Sequence, residues 1–249
     1  MFIHYRTKGI ILKKLDRKEA DQLFIVYTKD FGKLEILGKA IRKISSKLRS
    51  GMEIFYLSEI EFIQGKAYKT LTDAILIEKF KDLRKDLERL TIAYNISEVL
   101  DGLIQGQEKE ERIWNLLKEA FEELNSGKLG IKNPKLIYHY FFWNLLSILG
   151  YGPEFYQCPV CREKLRPEKL YFSQKEGGVI CQSCFSKQGF GKEIDPDTVK
   201  ILRIILNKDK NIMPRLKIED KHYKLLEQIS KDYLSFILER TGQFDTLNI

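Results

Sequence analysis

Residues 59–71 read Glu59-Ile60-Glu61-Phe62-Ile63-Gln64-Gly65-Lys66-Ala67-Tyr68-Lys69-Thr70-Leu71. Glu59 and Glu61 alternate with Ile60 and Phe62, the period-two signature of a strand buried on one face. Gln64-Gly65-Lys66 supplies a turn, so two strands are expected, over Glu53 to Ile63 and Tyr68 to Ile77. Upstream, β-forming runs span Lys8 to Leu12, Leu23 to Thr28 and Leu34 to Leu37. Asp30 and Gly32 give the turn chemistry of a hairpin between the last two. Five short strands in about eighty residues, with no helical stretch longer than Ala40–Leu48, describe a small closed barrel. An OB-fold is the commonest barrel of that size that handles single strands; an SH3-like barrel has the same strand count.

From Leu83 the period changes to that of a helix. Leu83, Leu87, Leu90 and Tyr94 form one apolar stripe and Ile92, Ile96, Val99 and Leu103 a second, which predicts a helix buried on most sides. Leu116, Leu117, Ala120, Phe121 and Leu124 mark another helix, ended by Asn125-Ser126-Gly127. Asn133-Pro134 opens a strongly apolar helix that runs to Leu149 and stops at Gly150 and Gly152-Pro153. Asp195-Pro196 starts another, and Tyr223, Leu226, Ile229, Tyr233 and Phe236 mark the last. The expected architecture is α+β: an OB-fold barrel over residues 1–80, then an all-α domain over 81–249 with a cysteine-bearing insert at 155–190.

All four cysteines fall in that insert, as Cys158-Pro159-Val160-Cys161 and Cys181-Gln182-Ser183-Cys184. Cys-x2-Cys-x19-Cys-x2-Cys is the spacing of a zinc ribbon: each short gap lets two thiolates face one tetrahedral ion, and the long gap forms a returning hairpin. The reading is a structural Zn2+ that offsets the small apolar content of the insert. Disulfides do not suit a reducing compartment, and a redox pair lacks its βαβ setting. Four thiolates also close the shell against a catalytic water.

The net charge is +8, and residues 1–80 hold 16 Lys and Arg against 10 Asp and Glu, so most of the excess lies in the barrel. Localised surplus of this kind suits a polyanion. Lys39, Arg42, Lys43, Lys47 and Arg49 fall in an acid-free stretch with Ser45 and Ser46 between them. Arg6, Lys8, Lys13 and Lys14 make a second basic group on the first strand. These nine are the candidate DNA-binding residues; engaging about five phosphates of a single strand predicts a log–log salt slope near −3.5. Tyr27, Phe31, Phe55 and Tyr56 are aromatics that could stack on bases, although aromatics on barrel strands are mostly core.

No Walker loop, Gly-x-Gly-x-x-Gly, His-Glu-x-x-His or Gly-x-Ser-x-Gly motif occurs. His4, His139 and His222 are scattered, and His139, among Tyr138, Tyr140, Phe141, Phe142 and Trp143, reads as a packed, hydrogen-bonded histidine. Glu108, Glu110 and Glu111 are interleaved with Lys109 and Arg112, as on a solvated helix start. A non-enzymatic protein is expected, with a metal-dependent nucleic-acid enzyme as the alternative that motif absence leaves open. No apolar run approaches the ~20 residues of a bilayer span, and the first residues lack a signal-peptide layout. A cytoplasmic, nucleoid-associated protein without membrane contact is the expectation.

Lys8-Gly9-Ile10-Ile11-Leu12, Leu37-Gly38-Lys39-Ala40-Ile41-Arg42-Lys43 and the segment Ser46 through Phe62 resemble the amino-terminal domain of the RecO family of recombination mediators. Phe142-Trp143-Asn144-Leu145-Leu146-Ser147-Ile148-Leu149-Gly150-Tyr151-Gly152-Pro153, leading to Cys158 and Cys161 and on through Gly178-Val179-Ile180-Cys181, resembles that family's most recognisable stretch. The resemblance covers about residues 5–240. It implies an OB-fold followed by a helical domain with a zinc-binding element. It also implies binding of single- and double-stranded DNA and ATP-independent annealing. The implied partners are RecR, single-stranded DNA-binding protein (SSB) and, indirectly, RecA, which RecR and the protein would load onto SSB-coated strands. A protein-docking adaptor with incidental DNA contact is the second reading. Two departures stand out: Arg162 follows Cys161 where the family often has glycine, and the tail Glu239-Arg240-Thr241-Gly242-Gln243-Phe244 matches only loosely.

Overall fold

The computed structural model describes residues 3–65, 67–127, 130–131, 133–208 and 211–242. Lys66 of the expected turn and Gln243 and Phe244 of the tail lie outside the described residues. The chain forms two compact units, Met1–Gly127 and Lys128–Ile249.

The first unit holds β1 (His4–Arg17), β2 (Asp21–Thr28), β3 (Gly32–Gly38), β4 (Leu57–Gln64) and β5 (Lys69–Glu78), then α1 (Leu87–Leu103) and α2 (Glu111–Ser126). The strands close into a barrel in the order β1-β2-β3-β5-β4. Every pairing is antiparallel except β3 with β5, where Ile36 and Leu37 run parallel to Lys69 and Thr70. This is the OB-like closure expected from the strand count.

The alternation read from Glu59 to Phe62 is realised: Ile60 and Phe62 join Ile11, Phe24, Val26, Leu34, Ile36 and Leu71 in the barrel core. In β1 the alternation is broken, because Ile10, Ile11 and Leu12 are all buried. A register shift between Ile11 and Lys13 marks a bulge, and at Ile11 the Phe55–Tyr56 backbone takes over as partner. The Phe55 N–H donates to Ile11 O at 2.7 Å, and the Ile11 N–H donates to Tyr56 O at 3.1 Å. A bulge re-aims side chains on the strand that carries it, which is how β1 runs on to Arg17.

The buried-on-most-sides reading of α1 is corrected. Asp86 caps the helix by accepting the N–H groups of Glu88 and Arg89, so Leu83 lies outside it, in the 3-10 turn Leu83–Lys85. The first stripe is thereby out of phase: Leu87 is 80% exposed and Tyr94 43% exposed. The second stripe, Ile92, Ile96, Val99 and Leu103, is buried as expected. α2 ends at Gly127, at φ +60°, the left-handed stop that glycine favours.

The second unit holds α3 (Pro134–Ile148), β6 (Leu170–Ser173), β7 (Gly178–Cys181), α4 (Gln182–Gln188), β8 (Lys192–Ile194), α5 (Pro196–Leu206) and α6 (Asp220–Thr241). Asn133 caps α3 and Asp195 caps α5, each with proline in the first turn. The body is therefore not wholly helical, because β7-β6-β8 forms a three-stranded sheet that extends past residue 190. Trp143 of α3 is fully buried against Phe155, Phe172 and Tyr233, which ties the cysteine element to α3 and α6. His139 is buried with Nδ1 3.2 Å from Ser230 Oγ, and burial pushes it down to about 4. It is the packed histidine that the aromatic setting suggests.

Candidate nucleic-acid interface and metal centre

The segment between β3 and β4 carries five of the nine basic candidates on a backbone tied to the barrel. Ile41 and Met52 enter the core and Leu48 packs against it. The Ala40 N–H donates to Asp21 Oδ1 at 2.7 Å and the Arg42 N–H to Ala20 O at 3.0 Å, joining the loop to the β1–β2 turn. At the other end, the Ser58 hydroxyl donates to Gly51 O at 2.6 Å. Gly51 packs so closely on β5 that a Cβ there would lie 2.5 Å from Ala74 O, a contact no other residue could make without moving backbone.

From this base Lys39, Arg42, Lys43, Lys47 and Arg49 all project into solvent. Arg42 pairs with Asp16 at 3.3 Å; among the described residues Lys39, Lys43, Lys47 and Arg49 form no ion pair. Ile44, at the centre of the loop, is 96% exposed. The sequence reading missed Lys18, which lies in the β1–β2 turn to which the loop is bonded. Only the turn-to-loop hydrogen bonds reveal that neighbour.

The basic group on β1 has a different environment. Antiparallel register sets Arg6 opposite Glu61 and Lys8 opposite Glu59. Arg6 binds Glu59 at 3.3 Å and Glu61 at 2.9 Å. Hydrogen bonds from His4, Arg6 and Thr72 hold the Glu61 carboxyl down at about 2. Lys13 reaches Asp101 of α1 at 2.8 Å, where Lys33 also binds at 3.0 Å. Burial alone would push the Asp101 carboxyl up, but the two lysines outweigh it and hold it below its usual value. Lys14 pairs with Glu53 at 2.8 Å, and Lys8 is exposed. The stacking candidates are not displayed either: Tyr27 and Phe55 are buried, and Phe31 and Tyr56 pack on the core.

In the second unit Cys158, Cys161, Cys181 and Cys184 converge, with their Sγ atoms within 4.8 Å of one another. The Cys161 and Cys181 sulfurs are 3.9 Å apart. That is far beyond a disulfide bond of ~2.05 Å and close to the ~3.8 Å edge of a tetrahedron with metal–sulfur bonds of ~2.3 Å. The four thiols thus fit a single tetrahedral metal ion. The knuckle folds through a Cys158 N–H to Glu163 O bond of 2.8 Å and an Arg162 N–H to Cys158 O bond of 2.7 Å. Burial pushes the Cys181 thiol up, but hydrogen bonds from Ser183 and the Cys184 backbone outweigh this and bring it down to about 6. Burial and the neighbouring sulfurs push the Cys184 thiol up to about 12.

Asp195, Asp197 and His222 also lie together, but capping accounts for Asp195. Its carboxylate accepts the N–H groups of Asp197 and Thr198 and the Thr198 hydroxyl.

Beside the cysteine element a groove of about 550 Å³ runs between Phe172, Phe190, Ile229 and Phe236, rimmed by Lys175 and Lys192. Lys175 stands 5.7 Å from the ring of Phe190, which is 65% exposed, and Lys192 is 3.5 Å from Asp232. The sequence could not display this groove, whose walls come from three separate segments. Among the described residues, no helix is long and apolar enough to cross a membrane.

Two family models match the chain: the amino-terminal model of recombination protein O over residues 1–80 and its carboxy-terminal model over 84–243. A DNA repair protein RecO of Dehalococcoides mccartyi is 33% identical over 236 residues, which cover 95% of this chain and 91% of that protein. The RecO of Moorella thermoacetica is 30% identical over 95% of this chain and 87% of its own length. That of Desulforamulus reducens is 28% identical over 95% and 90%. The two models match in sequence order over nearly the whole chain, and the chain belongs to the RecO family of DNA repair proteins.

Proposed function

We propose that the protein binds single- and double-stranded DNA through the β3–β4 loop, anneals complementary strands and, with RecR, helps load RecA onto SSB-coated strands. The observation that carries this reading is Lys39, Lys43, Lys47 and Arg49, exposed on a backbone bonded to the barrel and without acidic partners among the described residues, with Arg42 among them. Cations held this way engage phosphates at little ordering cost and release condensed counterions. Two strands held close by such a surface repel one another less, while base pairing supplies specificity. No nucleotide hydrolysis is needed, and the function is non-enzymatic and set in the cytoplasm, at the nucleoid. Lys18, in the β1–β2 turn bonded to the loop, borders it as a further contact, and Lys8, exposed on β1, is a separate one. Arg6, Lys13 and Lys14 contribute through their acidic partners to the surface that carries it.

The metal of the cysteine tetrad is Zn2+, which four soft thiolates in a tetrahedron favour. When bound it supplies cross-linking, with no open position for a reacting water. One zinc per chain is expected by elemental analysis. Removing it with a chelator under reducing conditions should lower amide protection across 154–194 by about a hundredfold or more. Unchanged protection would overturn the structural role.

A second reading concerns partners. The Phe190–Phe236 groove with its Lys175 and Lys192 rim suits the acidic, apolar tail of SSB. Annealing assays test both. Reversing Lys39, Lys43, Lys47 and Arg49 to glutamate should abolish annealing of naked and SSB-coated strands alike. Phe190→Asp should impair only the coated reaction. Full annealing by the loop variant would refute the DNA assignment.

A further inference from the structure

The knuckle after Cys161 contains a residue whose backbone and side chain pull in opposite directions. Arg162 stands at φ +63°, a conformation that glycine adopts freely and that costs other residues of order 1 kcal/mol. Phe55 and Phe80 share that conformation but are fully buried against the ring of Phe121, so packing offsets their strain; Lys18, Ala40 and Lys208 share it without such burial. Arg162 is exposed, and among the described residues its guanidinium has no partner.

It is also not alone. The return arm of the hairpin is fixed by the Cys158 to Glu163 and Leu165 to Tyr156 backbone bonds and by the bridge between Gln157 and Lys164. Leu165 turns inward and is buried, while Arg162, Lys164 and Arg166 are exposed and unpaired among the described residues. Lys164 and Arg166 lie two residues apart on this arm, about 6.6 Å if it is extended, a scale comparable with that of successive phosphates, and Arg162 precedes them at the left-handed turn. Glu163, the intervening acid, makes no ion pair with them.

We propose that Arg162, Lys164 and Arg166 form a second nucleic-acid contact, in which the cysteine hairpin holds a phosphate backbone independently of the barrel loop. The inference rests on the DNA-binding reading above and extends it to a surface in the other compact unit.

The decisive variant is Arg162→Gly, because a merely structural role and a binding role predict opposite results. Glycine relieves the left-handed strain, so the full-length zinc-loaded protein should release metal to a chelator no faster than the wild type. Its affinity for a fluorescent oligothymidine at 0.1 M salt should nonetheless fall about fivefold, with the log–log salt slope reduced by about 0.7. The triple variant Arg162→Gly, Lys164→Gln, Arg166→Gln should lose about a hundredfold and about 2 in slope.

Unchanged affinity and slope in the triple variant would overturn the proposal, and so would weaker binding that always accompanies faster metal release. Unchanged DNA affinity with weakened capture of an acidic peptide would overturn it in favour of a protein partner. Running the barrel-loop variant alongside separates the two failures. If wild-type protein does not bind the oligonucleotide, the DNA reading itself fails; if only the loop variant is impaired, this inference fails alone.

Discussion

The β1 strand and the β3–β4 loop of one barrel carry basic groups of similar size, and the fold treats them in opposite ways. On β1, the register with β4 and the approach of α1 bring carboxylates onto Arg6 and Lys13, and Glu53, just ahead of β4, pairs with Lys14. On the loop, the acid-free run leaves Lys39, Lys43, Lys47 and Arg49 unmatched, while Ile41, Leu48 and Met52 fix the backbone from below. A basic residue is most available to a polyanion where the tertiary structure supplies no anion of its own. Strand pairing supplies anions readily because directly opposed residues sit close enough to couple.

The largest effect that separates the two groups is on affinity. Replacing Lys39, Lys43, Lys47 and Arg49 with glutamine should weaken single-strand binding several hundredfold at 0.1 M salt. Stability by denaturant titration should stay within about 0.5 kcal/mol, as for exposed positions elsewhere. Lys13→Ala should do the reverse. Asp101 keeps Lys33 but loses one of two partners, so unfolding should be easier by about 1 kcal/mol, with DNA affinity changed less than about twofold. A large affinity loss in Lys13→Ala would erase the distinction between the groups.

The smallest effect is on pH dependence. Glu61 is held from its ordinary 4.5 down to about 2 in the folded protein, so it favours the folded state above 4.5. That contribution is lost as pH falls through about 2. Glu61→Gln should therefore flatten the acid limb of the stability curve between those values, and an identical acid limb would remove the Arg6–Glu61 pair from the comparison.

How much of this was legible beforehand follows from the same physics. The barrel could be read because its core residues alternate locally, as at Ile60 and Phe62, and the cysteine tetrad because its chemistry is fixed by spacing. The β1 bulge was hidden, since Ile10-Ile11-Leu12 has no alternation to read. The phase of α1 was hidden because Asp86, rather than the apolar pattern, sets where it begins. The ion pairs were hidden most completely: Lys13 and Asp101 are far apart in the chain, and a run of lysines looks the same whether or not carboxylates face it. The family resemblance added the order of parts and an expectation about partners, but not which of the basic residues remain unpaired.

The central claim, that the β3–β4 loop is the barrel's phosphate contact, is tested most directly by the salt dependence of single-strand binding. The account predicts that neutralising Lys39, Lys43, Lys47 and Arg49, four of the five loop cations, reduces the magnitude of the wild-type log–log slope by about 2.8. A variant that keeps the wild-type slope would contradict it.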